Sequence, residues 1–403
     1  MKYLIQKYLN KLESQGLAGK DNAAFLALDA ELVSNKPING DALELSKLFD
    51  LMNINSILFS APAEPYKSII REIIRYDSLC AGQNKIIPMD CETRTFFHDI
   101  PVVNDFSAEA IAEALSHRKS AILKDMGIVT YGVVTPEQAF VSFSSTCFST
   151  FVKYFYDSLI YLEKCNANKI KADPEFIQNF NRIAKYVKEE MSGNPPIPPL
   201  AKGGEGGFNE DDVIKMLSEA GRAVVGYRLV DSYFGNISYV YDNKIYISET
   251  GSSMDELERC IDAVPLDGSS SVGITASSEL SAHKNIYMET GHNAILHGHP
   301  KFSVIMSMHC LKEGCDRSTC HIRCKEKRYV SGTPIVSGEI GTGPTGLMHT
   351  VPAAMAEGKG VIVYGHGVFT SGQDDFQKPF SMLLDIETGC RQEYFSRVDK
   401  YLE

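Results

Sequence analysis

The chain has 403 residues, 44% of them hydrophobic and 23% charged, which is the composition of an ordinary globular protein, and its length predicts two domains. A net charge of −11 argues against a nucleic-acid partner, because contacts to phosphates need a basic face. No apolar run is long enough for a signal peptide or a membrane span, so we expect a cytoplasmic protein without membrane contact. In that compartment its ten cysteines are thiols or metal ligands rather than disulfides.

A segment rich in proline and glycine, at residues 193–207, marks the clearest domain boundary. Helical periodicity precedes it from Phe176 to Met191, and a helix beginning at Val213 with Asp211 or Asp212 as its cap follows it. We therefore predict a first domain at residues 1–191, a linker at 192–210 and a second domain at 211–403.

The two halves are similar to each other around two apolar segments. Residues 56–62 resemble residues 294–300, and residues 121–128 resemble residues 361–368. An internal repeat is the economical explanation, and chance similarity of apolar strands is the alternative. In this alignment the positions of His297, His299 and His366 are occupied by Phe59, Ala61 and Met126, which cannot hold a metal ion as histidines do.

Strands and helices alternate in both halves, which predicts layers of helices around a sheet. Short β-rich segments at residues 237–241 and 244–248 are separated by Asp242 and Asn243, so we predict a hairpin there and mainly antiparallel pairing. The order of the strands does not follow from the sequence.

Three histidines lie at the ends of two apolar strand-like segments. His297 and His299 are two residues apart, so in an extended strand their side chains share one face. His366 follows the second segment, residues 361–365. Three imidazoles with an open fourth position are typical of a catalytic zinc site, and the sequence predicts one here.

Three further motifs lie upstream of His297, at residues 235–238, 249–252 and 277–279. The first is expected to end a helix and enter a strand, the second to follow the hairpin, and the third to open a helix that runs to about Thr290. Each provides small side chains, hydroxyls and free backbone N–H groups, which can bind a phosphate or a carboxylate. Singly they are ordinary turns and helix caps.

In this order and spacing, the motifs give residues 211–395 a resemblance to the class II aldolase/adducin family, which includes sugar-phosphate aldolases, 4-epimerases and dehydratases. The resemblance implies an α/β/α sandwich with a mainly antiparallel central sheet. With the internal repeat it implies two tandem domains of this fold, the first a degenerate copy without metal ligands. The family usually forms four-fold tetramers, so two such chains are expected to form a pseudo-tetramer.

The resemblance also assigns roles to residues. It implies zinc, or another divalent metal, on His297, His299 and His366, with Glu279 as the acid that exchanges protons beside the metal. It implies that the substrate phosphate is bound by Asn236, Thr250, Gly251, Ser277 and Ser278. A tyrosine acid is also expected, and the candidates are Tyr329, Tyr66 and Tyr76, each of which has an ordinary buried tyrosine as its alternative.

The expected activity is that of a zinc-dependent aldolase, a lyase that cleaves or forms a C–C bond of a phosphorylated ketose through a metal-stabilised enediolate. A 4-epimerase or a dehydratase of sugar phosphates would use the same metal site, and a non-catalytic adducin-like scaffold is the third alternative. The sequence does not specify the sugar.

One feature lies outside the family pattern. We call Cys310, Cys315, Cys320 and Cys324 the cysteine cluster; His309 precedes it and His321 interrupts it. Four thiolates can hold a second zinc or an iron–sulfur cluster, and free thiols on a loop are the alternative. The basic residues around it would suit either a lid over an anionic substrate or a solvated loop; they are Lys312, Arg317, Arg323, Lys325, Lys327 and Arg328.

Overall fold

A computed structural model describes residues 1–80, 84–192, 197–201, 208–230, 233–269, 275–324, 326–339, 343–356, 358 and 360–402. The chain divides into two compact units, Met1–Gly193 and Asn194–Glu403, and the division falls in the predicted boundary segment. Within the described ranges, none of the helices combines the length and the apolarity that crossing a membrane requires.

The first unit consists of one sheet between two layers of helices. Its helices are α1 (Lys2–Ser14), α2 (Gly40–Ser46), α3 (Leu48–Leu51), α4 (Tyr66–Cys80), α5 (Cys91–Phe97), α6 (Ala108–Leu115), α7 (Pro136–Ala167) and α8 (Pro174–Ser192). Its strands are β1 (Ala24–Leu28), β2 (Leu32–Ser34), β3 (Ser56–Ser60), β4 (Lys85–Ile86), β5 (Ile100–Val103), β6 (Ser120–Leu123) and β7 (Gly127–Gly132). They are ordered β2-β1-β3-β7-β6-β5-β4, and β5–β6 is the parallel pair.

Alternation along β6 and β7 decides which helices cover each face. Leu123 and Val129 join a hydrophobic cluster with Leu48 of α3 and Ile111 of α6. On the opposite face, Thr130 donates a 2.8 Å hydrogen bond to a carbonyl of α7. The sheet is therefore buried on both sides.

The second unit repeats this plan. Its helices are α9 (Glu210–Gly226), α10 (Leu280–Thr290), α11 (Lys301–Met308), α12 (Leu347–Met355) and α13 (Gln377–Leu402). Its strands are β8 (Asn236–Tyr241), β9 (Lys244–Ser248), β10 (Ile261–Pro265), β11 (Ala294–Gly298), β12 (Arg328–Val330), β13 (Thr333–Val336), β14 (Val361–Val363) and β15 (Gly367–Gly372). They are ordered β10-β9-β8-β11-β15-β14-β13-β12, and β13–β14 is the parallel pair.

The two sheets share one connectivity. The pairing order β2-β1-β3-β7-β6-β5-β4 recurs as β9-β8-β11-β15-β14-β13-β12, including the position of the parallel pair, and β10 is added at one edge. The registers agree as well. Phe59 pairs with Val129, as His297 pairs with Phe369, and each partner lies three residues after the position aligned with the third histidine.

Several local predictions are confirmed. The predicted hairpin is β8–β9, and its turn residues Asp242 and Asn243 both have positive φ, 45° and 59°. A two-residue turn of that hand matches the twist of an antiparallel pair. The helix predicted before the boundary is α8, and the helix expected after Glu279 is α10.

Two local predictions are wrong. The helix after the boundary begins at Glu210, three residues earlier than predicted, and Asn209 is its cap, while Asp212 completes a capping box. The aspartates are inside the first turn because Asn209, two residues before Asp211, already accepts their N–H groups. No helix ends at Gly235 either, since α9 stops at Gly226.

Part of the predicted linker is described, and it packs on the second unit. Leu200 is buried, and its N–H donates to the side chain of Gln377. The N–H of Ala201 donates to Glu219. Residues 193–196 and 202–207 of that segment, like Lys325 of the basic loop, lie outside the described residues.

Candidate metal centre

The three histidines meet at one end of the second sheet. His297 is in β11, His299 lies just beyond that strand, and His366 is in the tight turn between β14 and β15. Because β11 and β15 are neighbours, this turn lies beside the end of β11. One ligand nitrogen from each histidine lies within 4.8 Å of the others, and all three side chains are buried.

Close backbone approach requires glycine at two positions around these histidines. A Cβ at Gly367 would lie 2.5 Å from the carbonyl oxygen of Gly298 and 2.7 Å from the ring of His297. A Cβ at Gly235 would lie 2.3 Å from the carbonyl oxygen of His297, and Gly235 also has a φ of +78°. These glycines let three strands converge on the histidines.

The orientation of His297 follows from its second nitrogen. Its Nδ1 lies 3.1 Å from the carbonyl oxygen of Val368, which can only accept, so Nδ1 carries the proton. Its Nε2 therefore faces the cluster, and it lies 2.9 Å from Nε2 of His299. Nδ1 of His299 is buried and has no hydrogen-bond partner among the described residues. Two imidazole nitrogens this close share either a proton or a cation.

Glu279 completes the cluster. Its two carboxylate oxygens lie 3.0 Å from Nε2 of His366 and 3.4 Å from Nε2 of His297, and the residue is 5% exposed. Burial alone would raise the pKa of this carboxyl, but His297 and His366 outweigh that effect and hold the pKa well below its usual range. A buried anion among three imidazoles is a donor set that could hold a divalent metal.

Sequence reasoning missed His283. It lies one turn after Glu279 on α10, is fully buried, and contacts Asn236 Oδ1 through Nε2 at 2.5 Å and Ser238 Oγ through Nδ1 at 2.6 Å. Since Oδ1 accepts, Nε2 donates, and Nδ1 accepts from the serine. Burial lowers the pKa of His283 to about 3, which keeps it neutral in this role. The signal was the four-residue spacing from Glu279 on one helix face.

This arrangement sets the direction of the Asn236 amide. With Oδ1 held by His283, the Nδ2 group of Asn236 donates to Glu279 over 2.7 Å. The result is a buried chain of hydrogen bonds that runs from Ser238 through His283 and Asn236 to the carboxylate. Such chains fix the rotamers of the groups that contact a metal.

Comparison with known proteins gives a family match within the second unit. A family model described as the class II aldolase and adducin N-terminal domain matches residues 215–394. These residues form a class II aldolase domain. Comparison with curated protein sequences gave no match.

Solved structures similar to this chain include three aldolases. L-fuculose-1-phosphate aldolase from Thermus thermophilus is 21% identical, with a TM-score of 0.37, and the match covers 45% of this chain and 93% of that one. Sugar-phosphate aldolase from Thermotoga maritima is 15% identical, with a TM-score of 0.33 and coverage of 47% and 95%. L-fuculose 1-phosphate aldolase from Glaciozyma antarctica is 13% identical, with a TM-score of 0.33 and coverage of 51% and 79%.

In the class II aldolase domain, the residues expected to bind phosphate lie on adjacent loops. Thr250 donates from Oγ1 to the carbonyl of Ala276, and Ser277 donates its N–H to the carbonyl of Ser248. The side chain of Ser248 in turn accepts from the N–H of Ile237, which follows Asn236. The loop that contains Ser277 and the start of β8 therefore both contact Ser248, which lies two residues before Thr250. The remaining two residues are Gly251, with a φ of +72°, and Ser278, which is exposed.

The tyrosine candidates have different environments. Tyr66 and Tyr76 belong to the first unit and pack against Phe151 and Phe176, respectively. Burial raises the pKa of Tyr76, so its hydroxyl is a poor acid there. Tyr329 is on β12 of the class II aldolase domain and is 50% exposed. None of these contacts joins a tyrosine to the histidines, and the tyrosine acid stays a prediction.

The cysteine cluster is not assembled as a metal site. Of the described residues, only the three histidines form a group close enough to share one ion. Cys320 is buried, Cys315 is exposed, and the other two thiols are half-buried. The second metal site therefore stays a prediction at this stage.

A second missed residue, Glu387 on α13, supports the position of His299. Its carboxylate accepts from the N–H groups of Phe302 and Ser303, at 2.9 and 2.8 Å, and from the hydroxyl of Ser303 at 2.8 Å. Helix α11 begins at Lys301, two residues after His299, and has no side-chain cap of its own. Glu387 thus caps α11 from another helix.

Proposed function

We propose that the second unit is a zinc-dependent aldolase that cleaves or forms a C–C bond of a phosphorylated ketose. The observation that supports this most directly is the convergence of three buried imidazoles with the carboxylate of Glu279. The residues fit the metal, because the Nε2 atoms of His297 and His299 lie 2.9 Å apart and the carboxylate of Glu279 lies beside them. When bound, zinc would polarise a carbonyl and stabilise the negative charge that C–C cleavage creates.

In this proposal, the roles of the protein residues follow from their contacts. Glu279 exchanges protons with the substrate, since it is the carboxylate next to the histidines and Asn236 holds it in place. The loops that meet at Ser248 provide N–H and hydroxyl donors for the substrate phosphate: Asn236, Thr250, Gly251, Ser277 and Ser278. Binding the phosphate away from the reacting carbons would supply the free energy that positions them.

We further propose that the first unit is a degenerate copy of the same domain. The identical pairing order of the two sheets and their matching registers support this. The strand register sets Ala24 in the place of Asn236, as Phe59 stands for His297. Residues 44–46 resemble residues 279–281 in sequence, which aligns Glu44 with Glu279. Glu44 instead accepts from the N–H of Ala108 and pairs with Lys47. This copy would serve packing rather than chemistry.

The proposed assembly is a dimer with four aldolase-type domains, two of them active. The chain has a mass of 44.6 kDa, so two chains give about 90 kDa. Light scattering during size-exclusion chromatography measures this mass directly. A monomer at micromolar concentration would contradict the assembly and leave the chemistry of the domain open.

The activity test uses a panel of ketose 1-phosphates and detects glycerone phosphate with a coupled dehydrogenase. We expect cleavage by the wild type, loss of cleavage in a His297→Ala/His299→Ala variant, and full activity in the matched control His349→Ala, because His349 is exposed. A chelator should abolish cleavage, and added zinc should restore it.

Mass spectrometry of the same reactions separates the alternatives. Two fragments indicate an aldolase, an unchanged mass with a new stereoisomer indicates a 4-epimerase, and a loss of water indicates a dehydratase. The last two results would contradict the aldolase reaction but not the metal site. No turnover of any sugar phosphate by the zinc-loaded protein would indicate a scaffold and refute the enzymatic proposal.

A further inference from the structure

The cysteine cluster lies in a segment that apolar packing cannot hold in place. Of the described residues from Leu311 to Lys327, only Cys320 is buried. Ordered structure there consists of one short 3-10 turn, Arg317–Thr319. An ion pair between Lys312 and Glu326 joins its two ends, but both side chains are about half exposed, and such pairs stabilise little. A segment this long without a core needs another support.

Cysteines of the cluster lie close to the ends of helical turns. Cys310 comes two residues after α11, and Cys320 comes directly after the 3-10 turn. The N–H of Arg323 donates to the carbonyl of Thr319 over 2.8 Å and closes one helical turn, and Cys324 follows that turn, four residues after Cys320.

The core of the domain anchors this arrangement. The carbonyl of Cys320 accepts from the hydroxyl of Ser337 at 2.5 Å, and the carbonyl of His321 accepts from the N–H of Gly338. Both donors directly follow β13. The centre of the cysteine cluster is thus attached to the sheet, while residues 311–319 around it are exposed on every side.

The surroundings of Cys320 disfavour its thiolate. Burial raises the pKa of Cys320, and Cys324, Cys315 and Cys310 raise it further. The four thiols are still too widely spaced to share one ion. The exposed residues 311–319 can close this distance without disturbing the core, since none of their side chains is buried.

We propose that the cysteine cluster binds a structural zinc ion through four thiolates. Each thiol that becomes a ligand releases one proton to solvent, and four thiolates with one Zn²⁺ carry a net charge of −2. Cationic side chains in the same segment offset that charge: Lys312, Arg317, Arg323, Lys327 and Arg328. Zinc binding would replace the missing apolar core and fix this loop.

The test separates this site from the histidine site. The parent protein is the full-length His297→Ala/His299→Ala variant, which removes the histidine ligands. In this parent we compare Cys315→Ser/Cys324→Ser with Cys260→Ser, a half-buried cysteine of the same unit outside the cluster. The first pair avoids the buried thiol, so the fold should survive, and circular dichroism checks this.

After dialysis against a weak chelator, elemental analysis should find about one zinc per chain in the parent and in the Cys260→Ser control. The cluster variant should contain none. Reconstitution with cobalt should give strong thiolate-to-metal charge-transfer absorption in the parent and the control only. Proteolysis between residues 311 and 327 should become faster when zinc is removed from the parent.

Three outcomes would overturn the proposal. A parent without zinc and without a cobalt–thiolate spectrum would mean that the thiols are free. Zinc retained by the cluster variant would place the ion elsewhere. Iron with acid-labile sulfide would replace structural zinc with an iron–sulfur cluster. None of these results bears on the aldolase activity, which is measured with intact histidines.

Discussion

Glu387 offers the sharpest test of how the metal centre is built. It is 3% exposed and accepts three hydrogen bonds at the start of α11, two of them from backbone N–H groups of fully buried residues. Replacing it with alanine leaves those two donors without a partner. An unsatisfied buried donor costs about 1–3 kcal/mol, so we expect Glu387→Ala to lower the free energy of unfolding by about 2–6 kcal/mol.

Glu387→Gln should cost less, because its amide oxygen can still accept from the helix. Its effect also depends on pH, since burial raises the pKa of Glu387 in the folded protein. A raised pKa favours the folded state at low pH, and that advantage is lost as pH rises through the folded value. The cost of Glu387→Gln relative to wild type should therefore shrink as pH increases.

Denaturation by urea, followed by circular dichroism because the chain has no tryptophan, measures the stability of the second unit. The matched control is Glu393→Ala on the same helix. It removes a partly exposed ion pair with Arg397 and a hydrogen bond from the N–H of exposed Ser331, each of which should contribute about 1 kcal/mol or less. Glu387→Ala should also weaken zinc binding, because α11 begins two residues after His299. If both alanine variants lose the same small amount of stability, the capping argument is refuted.

Three further predictions concern the same centre. Burial lowers the pKa of His283, so the second unit should lose stability as pH falls below about 6.5, by up to about 1.4 kcal/mol per pH unit. In thermal melts from pH 7 to 5, the melting temperature of His283→Gln should fall less steeply with pH than that of the wild type. Gly235→Ala should reduce zinc affinity as well as stability, because its Cβ would collide with the carbonyl of His297. The control Gly291→Ala has a similar positive φ but open space around its Cβ, so it should reduce stability only. Competition with a chelator measures the zinc affinity of both variants. Ser307→Ala removes the acceptor of a buried N–H in the turn between β14 and β15, so it should cost about 1–3 kcal/mol in urea denaturation, and an unchanged midpoint would contradict that.

Features carried by local pattern were predictable from sequence. Side chains alternate along a strand, which put His297 and His299 on one face. Asp242 and Asn243 between two β-rich segments indicated a hairpin. Each of these two predictions depends on neighbouring residues alone. The repeat was visible for a related reason: two segments with the same burial keep the same apolar spacing. The start of α9 was misplaced by three residues because several polar residues there compete for the role of cap.

The two missed residues have no local signature of their partners, although the four-residue spacing from Glu279 puts His283 on the same helix face. In the sequence, His283 looks like any other helical residue, and Glu387 looks like an acid on the solvent-facing side of a helix. Their roles depend on partners 47 and 84–85 positions away in the chain, Asn236 for the first and the start of α11 for the second. A sequence pattern over one element cannot report a contact that only packing creates.

By itself, the sequence predicted the candidate ligands, a boundary between two units and a correspondence of their halves, because strand periodicity and composition act over short distances. Only the tertiary structure decided that the turn between β14 and β15 lies beside β11, so that His366 joins the other two histidines. It also decided the direction of the Asn236 amide and the cap of α11. The physical reason is that a buried polar group must find its partner wherever the folded chain supplies one.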